Sequence, residues 1–260
     1  MKLHFPLLAT LTSLALSPAV PGAVTEWRTE VQVSNGGNGV PLTFGFDGGL
    51  NEPSASVELS SGSATARASS ALNSGGYIPT LRTFAGNDGW RAQAVAWGVQ
   101  GFTNTSGAVL DTSLVMDLSA NIIGDNRVRA SVYLFQTDFF EYSPDTGTIL
   151  FESSSQLWPG FEDFANNLGP DGFDIASSVA GPVSEQRSFD FSVQPGEDFY
   201  VWAQLISTAS TTGVSDASST LTASFTNITG LTPAAAVPEP GALALLLASG
   251  LLLFQRRRAA

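Results

Sequence analysis

Cysteine is absent from the 260 residues, and histidine and lysine occur once each, as His4 and Lys2. Without cysteine there is no disulfide framework, no thiol nucleophile and no thiolate metal site. Beyond His4 no imidazole remains, so Ser-His-Asp and Cys-His catalysis, His-ligated zinc and His-containing non-haem iron all lack a residue they need. Positive charge is almost as scarce. Between Val24 and Ala236 seven arginines face 22 Asp and Glu, a balance of −15, against −12 for the whole chain. Nucleic acid, whose phosphates demand a basic footprint, is excluded as a partner. Long helical periods are missing too, which removes most α and α/β architectures.

What is present is a 43% hydrophobic chain of a length that fits one folded unit plus processing segments. Its dominant texture is short alternating runs separated by Gly, Asn, Ser, Asp and Pro. "TEWRTEVQVS" places Trp27, Val31 and Val33 among polar residues before the turn sequence Asn35–Gly39, and "WRAQAVAWGV" alternates over Trp90–Val99. "RVRASVYLFQ" sets Val128, Ala130, Val132, Leu134 and Gln136 on one face, the pattern of a half-buried strand. "SFDFSV" and "FYVWAQLISTA", joined by "QPGED", predict an antiparallel hairpin turning on Pro195 and Gly196, and "STLTASFTNI" over Ser219–Ile228 predicts a further strand. The expectation is an all-β fold, an antiparallel β-sandwich of jelly-roll type with about ten strands. "GFEDFANNLG", Gly160–Gly169, has Phe161, Phe164, Ala165 and Leu168 at helical spacing and predicts a short helix capping the sandwich.

The two ends are of another kind. Lys2, the apolar stretch Phe5–Leu16 and the small residues after it have the layout of a secretory signal peptide, 1–23, with cleavage after Ala19 or near Ala23. At the other end an apolar run of 14 residues, Gly241–Phe254, would reach about 21 Å as a helix, short of a hydrocarbon core of about 30 Å. Pro238 and Pro240 flank an acid before it, and Arg256, Arg257 and Arg258 follow it. Such arginines stay on the cytoplasmic side and hold the tail transiently in the inner membrane. The domain plan is therefore a signal helix at 1–23, a β-sandwich at 24–230, a Pro-containing linker at 231–236 and a tail at 237–260 whose apolar helix lies outside the domain.

Val237-Pro238-Glu239-Pro240-Gly241, the Leu/Ala-rich run and the terminal arginines resemble the PEP-CTERM sorting signal of Gram-negative bacteria. The resemblance implies recognition by an exosortase, which removes the tail near Pro-Glu-Pro, and a cell-surface or extracellular destination in organisms that make exopolysaccharide and biofilm. The body is also similar in texture to sandwich domains found upstream of such signals, through "VQPGEDFYVWAQL" and "SSTLTASFTNI".

Acidic residues are the one chemical group in quantity. Glu162, Asp163, Asp171 and Asp174 fall in a Gly/Asn/Pro-rich loop, where solvated loop acids and a structural calcium ion are the competing readings; the EF-hand spacing is not met. No other cofactor is implied. Trp90, Trp97, Trp158, Tyr77 and Tyr142 could stack on sugars, with Trp158 before Pro159 the leading exposed candidate and core packing the competing reading for each. Asn104 and Asn227 open Asn-x-Ser/Thr matches that carry no weight in such a protein. The sequence thus predicts an exported, non-enzymatic surface or matrix protein that contacts exosortase and extracellular polysaccharide. The alternatives are a carbohydrate-binding module and a glycoside hydrolase built on a carboxylate pair.

Overall fold

A computed structural model describes residues 27–37, 40–50, 52–72, 79–87, 91–136, 140–143, 148–151, 158–160, 173–175 and 180–233. The signal segment, the predicted helix at Gly160–Gly169 apart from its first residue, and the tail from Ala234 onward lie outside them. The described residues form an all-β antiparallel sandwich. Its strands are β1 (Trp27–Gly37), β2 (Val40–Leu50), β3 (Ser54–Ser61), β4 (Ala64–Leu72), β5 (Pro79–Asn87), β6 (Arg91–Asn104) and β7 (Leu110–Phe135). They continue with β8 (Phe140–Ser143), β9 (Thr148–Phe151), β10 (Phe173–Ile175), β11 (Gly181–Val193), β12 (Asp198–Phe225) and β13 (Leu231–Pro233). β8 and β9 pair only with each other; the rest form one hydrogen-bonded system.

Two long strands make that system a sandwich. The first half of β12, Asp198–Ala209, lies between β6 and the second half of β7, Asn126–Phe135. Its second half, Gly213–Phe225, lies between β5 and the first half of β7, Leu114–Gly124. One layer therefore reads β2-β1-β6-β12-β7-β10 and the other β3-β4-β5-β12-β7-β11, with β7 and β12 belonging to both. The corner is chemically specified. Gly124 and Gly213 pair across it with φ of 80° and 144°, and a Cβ on Gly213 would stand 2.2 Å from the Ile123 carbonyl oxygen. Buried Asn126 bridges the bend, its Nδ2 donating to the Ile123 carbonyl and its Oδ1 accepting from the Ser210 N–H at 3.3 Å. Ser215 Oγ, also buried, donates to the Arg127 carbonyl at 2.8 Å.

The interior changes character along its length. Near β1 and β3–β6 it is lined by Ala55, Ala64, Ala66, Ala68, Ala85, Ala92, Ala94 and Ala96, all buried. Such short side chains let the layers approach closely. At Gly45 a Cβ would meet Val57 Cγ2 from the facing layer at 2.9 Å. Thr83 and Ser207, both buried, share a hydrogen bond of 2.7 Å between the layers, which satisfies both hydroxyls away from water. At the other end the filling is aromatic. Phe199 packs edge-on to Phe191, Phe225 and Trp158 at 5.6, 5.8 and 5.7 Å, and Phe102 stacks on Phe199 at 5.3 Å. These are the separations and tilts that ring quadrupoles favour.

Three sequence expectations are corrected in detail. "QPGED" does turn, with Gly196 at φ 77° and the Glu197 N–H donating to the Gln194 carbonyl at 3.0 Å, but β11 and β12 do not pair. The turn carries the chain from one layer to the other, because Phe191 and Phe199 must face each other across the core. "FYVWAQLISTA" and "STLTASFTNI" are the two halves of a single strand, β12. Leu231–Pro233, read as the start of a linker, is instead β13, which extends the row of β1 along β6: Trp27 pairs with Gln100 and Pro233 with Phe102. Pro233 ends that edge strand, where a missing N–H costs little.

Candidate functional site

Period-2 alternation decides what each layer shows to solvent. The core face of β7 is as expected, with Val128, Ala130, Val132 and Leu134 buried. Its opposite face runs from exposed Arg127 to buried Phe135, which joins Trp97, Val99, Tyr200 and Trp202 in a second apolar cluster, with Tyr133 stacked on Trp202 at 5.2 Å. This layer is therefore apolar on both sides around β6, β7 and β12. Trp97 and Trp158 are 1% and 5% exposed, so neither offers a flat aromatic platform. Trp158, the exposed candidate, is held in the core because its backbone N–H donates to the Leu134 carbonyl at 2.9 Å and its ring packs edge-on against both Phe191 and Phe199. The side chains of Trp90, Tyr77 and Tyr142 lie outside the described residues.

The outward face of the other layer is hydroxyl-rich, and its carboxylates are tied into the sheet. Ser192 Oγ donates to Asp111 and Ser113 Oγ to Asp190, both at 2.6 Å, and Gln186 Nε2 donates to Asp117 at 2.7 Å. Asp111 and Asp190 sit on neighbouring strands of one face around a shallow depression that Thr226 also lines. A glycosidase pair would stand on opposite walls of a cleft. Here each acid instead clamps its cross-strand neighbour, since charge-assisted hydrogen bonds are the stronger kind.

A second depression, of about 400 Å³, lies on the same face over β3, β4 and β5. It is lined by Ser56, Glu58, Arg67, Ser69, Arg82 and Phe84. Arg67 pairs in register with Glu58 on one side and Phe84 on the other, and Ser69 pairs with Ser56 and Arg82. The two arginines are thus diagonal neighbours, about 7–8 Å apart at the backbone. The Arg67 guanidinium lies over the Phe84 ring at 4.4 Å. That ring in turn covers Gly86, where an added Cβ would come within 2.9 Å of Phe84 Cε1. Seventeen and two positions separate Arg67 from Phe84 and Phe84 from Gly86 in the chain, so only strand pairing assembles the stack. Its one sequence signal is a pair of outward arginines in an acidic chain.

The sorting residues Val237, Pro238, Glu239, Pro240 and Gly241, the cluster Arg256–Arg258 and the cleavage candidates Ala19 and Ala23 lie outside the described residues. So do Glu162, Asp163 and Asp171, and of Asp174 only the backbone, in β10 opposite Arg129, is described. Among the described residues no group of three or more His, Cys, Asp or Glu is placed to hold a metal ion. Asn104 is buried and structural: its Nδ2 donates to the carbonyls of Ala108 and Val193, and its Oδ1 accepts from Ser106. Fold and surface together define an antiparallel β-sandwich with one hydroxyl-rich outer face. No protein-family model and no curated protein matches the chain.

Proposed function

We propose that the protein is an exported, non-catalytic component of the cell surface or extracellular matrix, sorted by an exosortase through its C-terminal tail and associated with exopolysaccharide. One observation carries this reading: the tail holds Pro-Glu-Pro, an apolar run and an arginine triplet in the order of a PEP-CTERM signal. The fold supports it. The last described strand ends at Pro233, and three residues, Ala234–Ala236, lead to Val237, so the motif follows directly on the sandwich. The hydroxyl-rich outer face with clamped carboxylates suits contact with hydrated polymer.

The test is the intact mass and location of the protein in a host with and without its exosortase. The expected result is loss of the segment beyond Pro-Glu-Pro and arrival at the surface or in the medium only when the enzyme is present. Survival of the tail in both hosts overturns the proposal.

A further inference from the structure

We infer that the depression over β3, β4 and β5 is a binding site for the carboxylate of an acidic sugar within a sparsely charged polysaccharide. The inference rests on the matrix reading above and names the chemistry of its partner. Among the described residues neither Arg67 nor Arg82 forms an ion pair, although the chain carries 23 acids against 11 cations. The two guanidiniums are diagonal neighbours whose nearest in-register acids, Glu58 and Asp216, stand opposite Arg67 and Phe84, and an anion between the guanidiniums offsets their mutual repulsion. Arg67 is restrained: its plane rests on Phe84, and Phe84 rests on Gly86. A guanidinium stacked this way keeps its N–H edge free, and that edge matches the two oxygens of a carboxylate.

Three further features select a sugar acid over a free anion. Ser56 and Ser69 line the same depression and can exchange hydrogen bonds with sugar hydroxyls. Glu58, opposite Arg67, can accept from a hydroxyl next to the carboxylate. The site is shallow and open to solvent on the face of the sheet, a shape that a polymer chain can cross. The protein's overall negative charge disfavours densely charged polyanions, so the fitting ligand spaces its carboxylates along neutral sugars.

The test uses the protein as exported by its host in affinity electrophoresis through gellan, which carries a single uronate per repeat, and through carboxyl-reduced gellan. Retardation by gellan, loss of it on carboxyl reduction, and weakening with added salt are expected. Arg67→Gln with Arg82→Gln lowers the affinity by roughly tenfold or more, as loss of charged hydrogen bonds dictates. The control pair Arg91→Gln with Arg187→Gln changes net charge equally and leaves retardation unchanged. Both arginines of the test pair are exposed, and melting curves of the two double variants verify that each is folded. Equal retardation by both polymers, or by wild type and the Arg67/Arg82 variant, overturns the site while leaving the matrix reading intact. Displacement of gellan by an equal concentration of inorganic phosphate overturns the sugar assignment. No retardation by gellan overturns the site and the acidic-polysaccharide partner together, while tail processing is judged separately by mass.

Discussion

Removal of the Asn104 amide probes how the sandwich holds its loops. The residue is fully buried and its side chain makes four hydrogen bonds, to the Ala108 carbonyl at 2.8 Å, the Val193 carbonyl at 2.9 Å, the Ser106 N–H at 3.0 Å and the Ser106 hydroxyl at 2.7 Å. Its backbone also accepts from the Gly196 N–H and donates to the Glu197 carbonyl, tying the loop after β6 to the turn between β11 and β12. In Asn104→Ala, Ser106 and Ala108 are exposed and water replaces the lost bonds at small cost. Val193 is buried, so water does not replace the bond its carbonyl loses, at about 1–3 kcal/mol. With a few tenths for each exposed contact and the small void, the total is about 2–4 kcal/mol, or a fall in Tm of roughly 4–16 °C for a domain of this size. Asn104→Asp costs more than Asn104→Ala, because a carboxylate oxygen then faces two carbonyl oxygens in a buried site. Thermal and urea unfolding of the three proteins decide the matter. A melting point for Asn104→Ala within about 2 °C of wild type, or an Asn104→Asp protein more stable than Asn104→Ala, refutes the account.

Two further outcomes test the interior. Thr83→Val and Ser207→Ala each strand the partner hydroxyl and cost about 1–3 kcal/mol, whereas the double substitution recovers most of that loss; a denaturation cycle with purely additive effects contradicts the inter-layer hydrogen bond. Gly213→Ala sets a side chain at φ 144° against the Ile123 carbonyl, so a loss of at least about 3 kcal/mol is expected in urea unfolding, and a neutral result removes the corner from the account.

Alternation was enough to read the sandwich and much of its core. Val31, Val33, Val128, Val132, Leu134 and Leu221 all point inward as their spacing demands. What local pattern cannot carry is the destination of a strand. "QPGED" has the chemistry of a reversal in either architecture, and only the meeting of Phe191 with Phe199 decides that the chain changes layer. "IGDNR" and "STTGVS" look like strand ends because Gly, Asp and Thr punctuate them, yet hydrogen bonding resumes beyond each break, and β7 and β12 run on around the corner. The arginine stack was illegible for a similar reason. Arg67 and Phe84 become neighbours through the β4–β5 register, which depends on every pair in the ladder rather than on either residue's surroundings.

The row that β1 and β13 share along β6 has a topological consequence. Trp27 opens that row opposite Gln100 and Pro233 closes it opposite Phe102, two pairing positions away, or about 7 Å at a strand's rise. Chain entry and chain exit thus meet at one point on the rim. A bridge of a few residues would close the sandwich into a ring, and new ends cut at the exposed Ser106–Val109 loop would give a circular permutant with every pairing intact. By the same geometry the sandwich can be carried as an insert in another chain, and tension applied to both ends pulls on a single spot rather than across the layers.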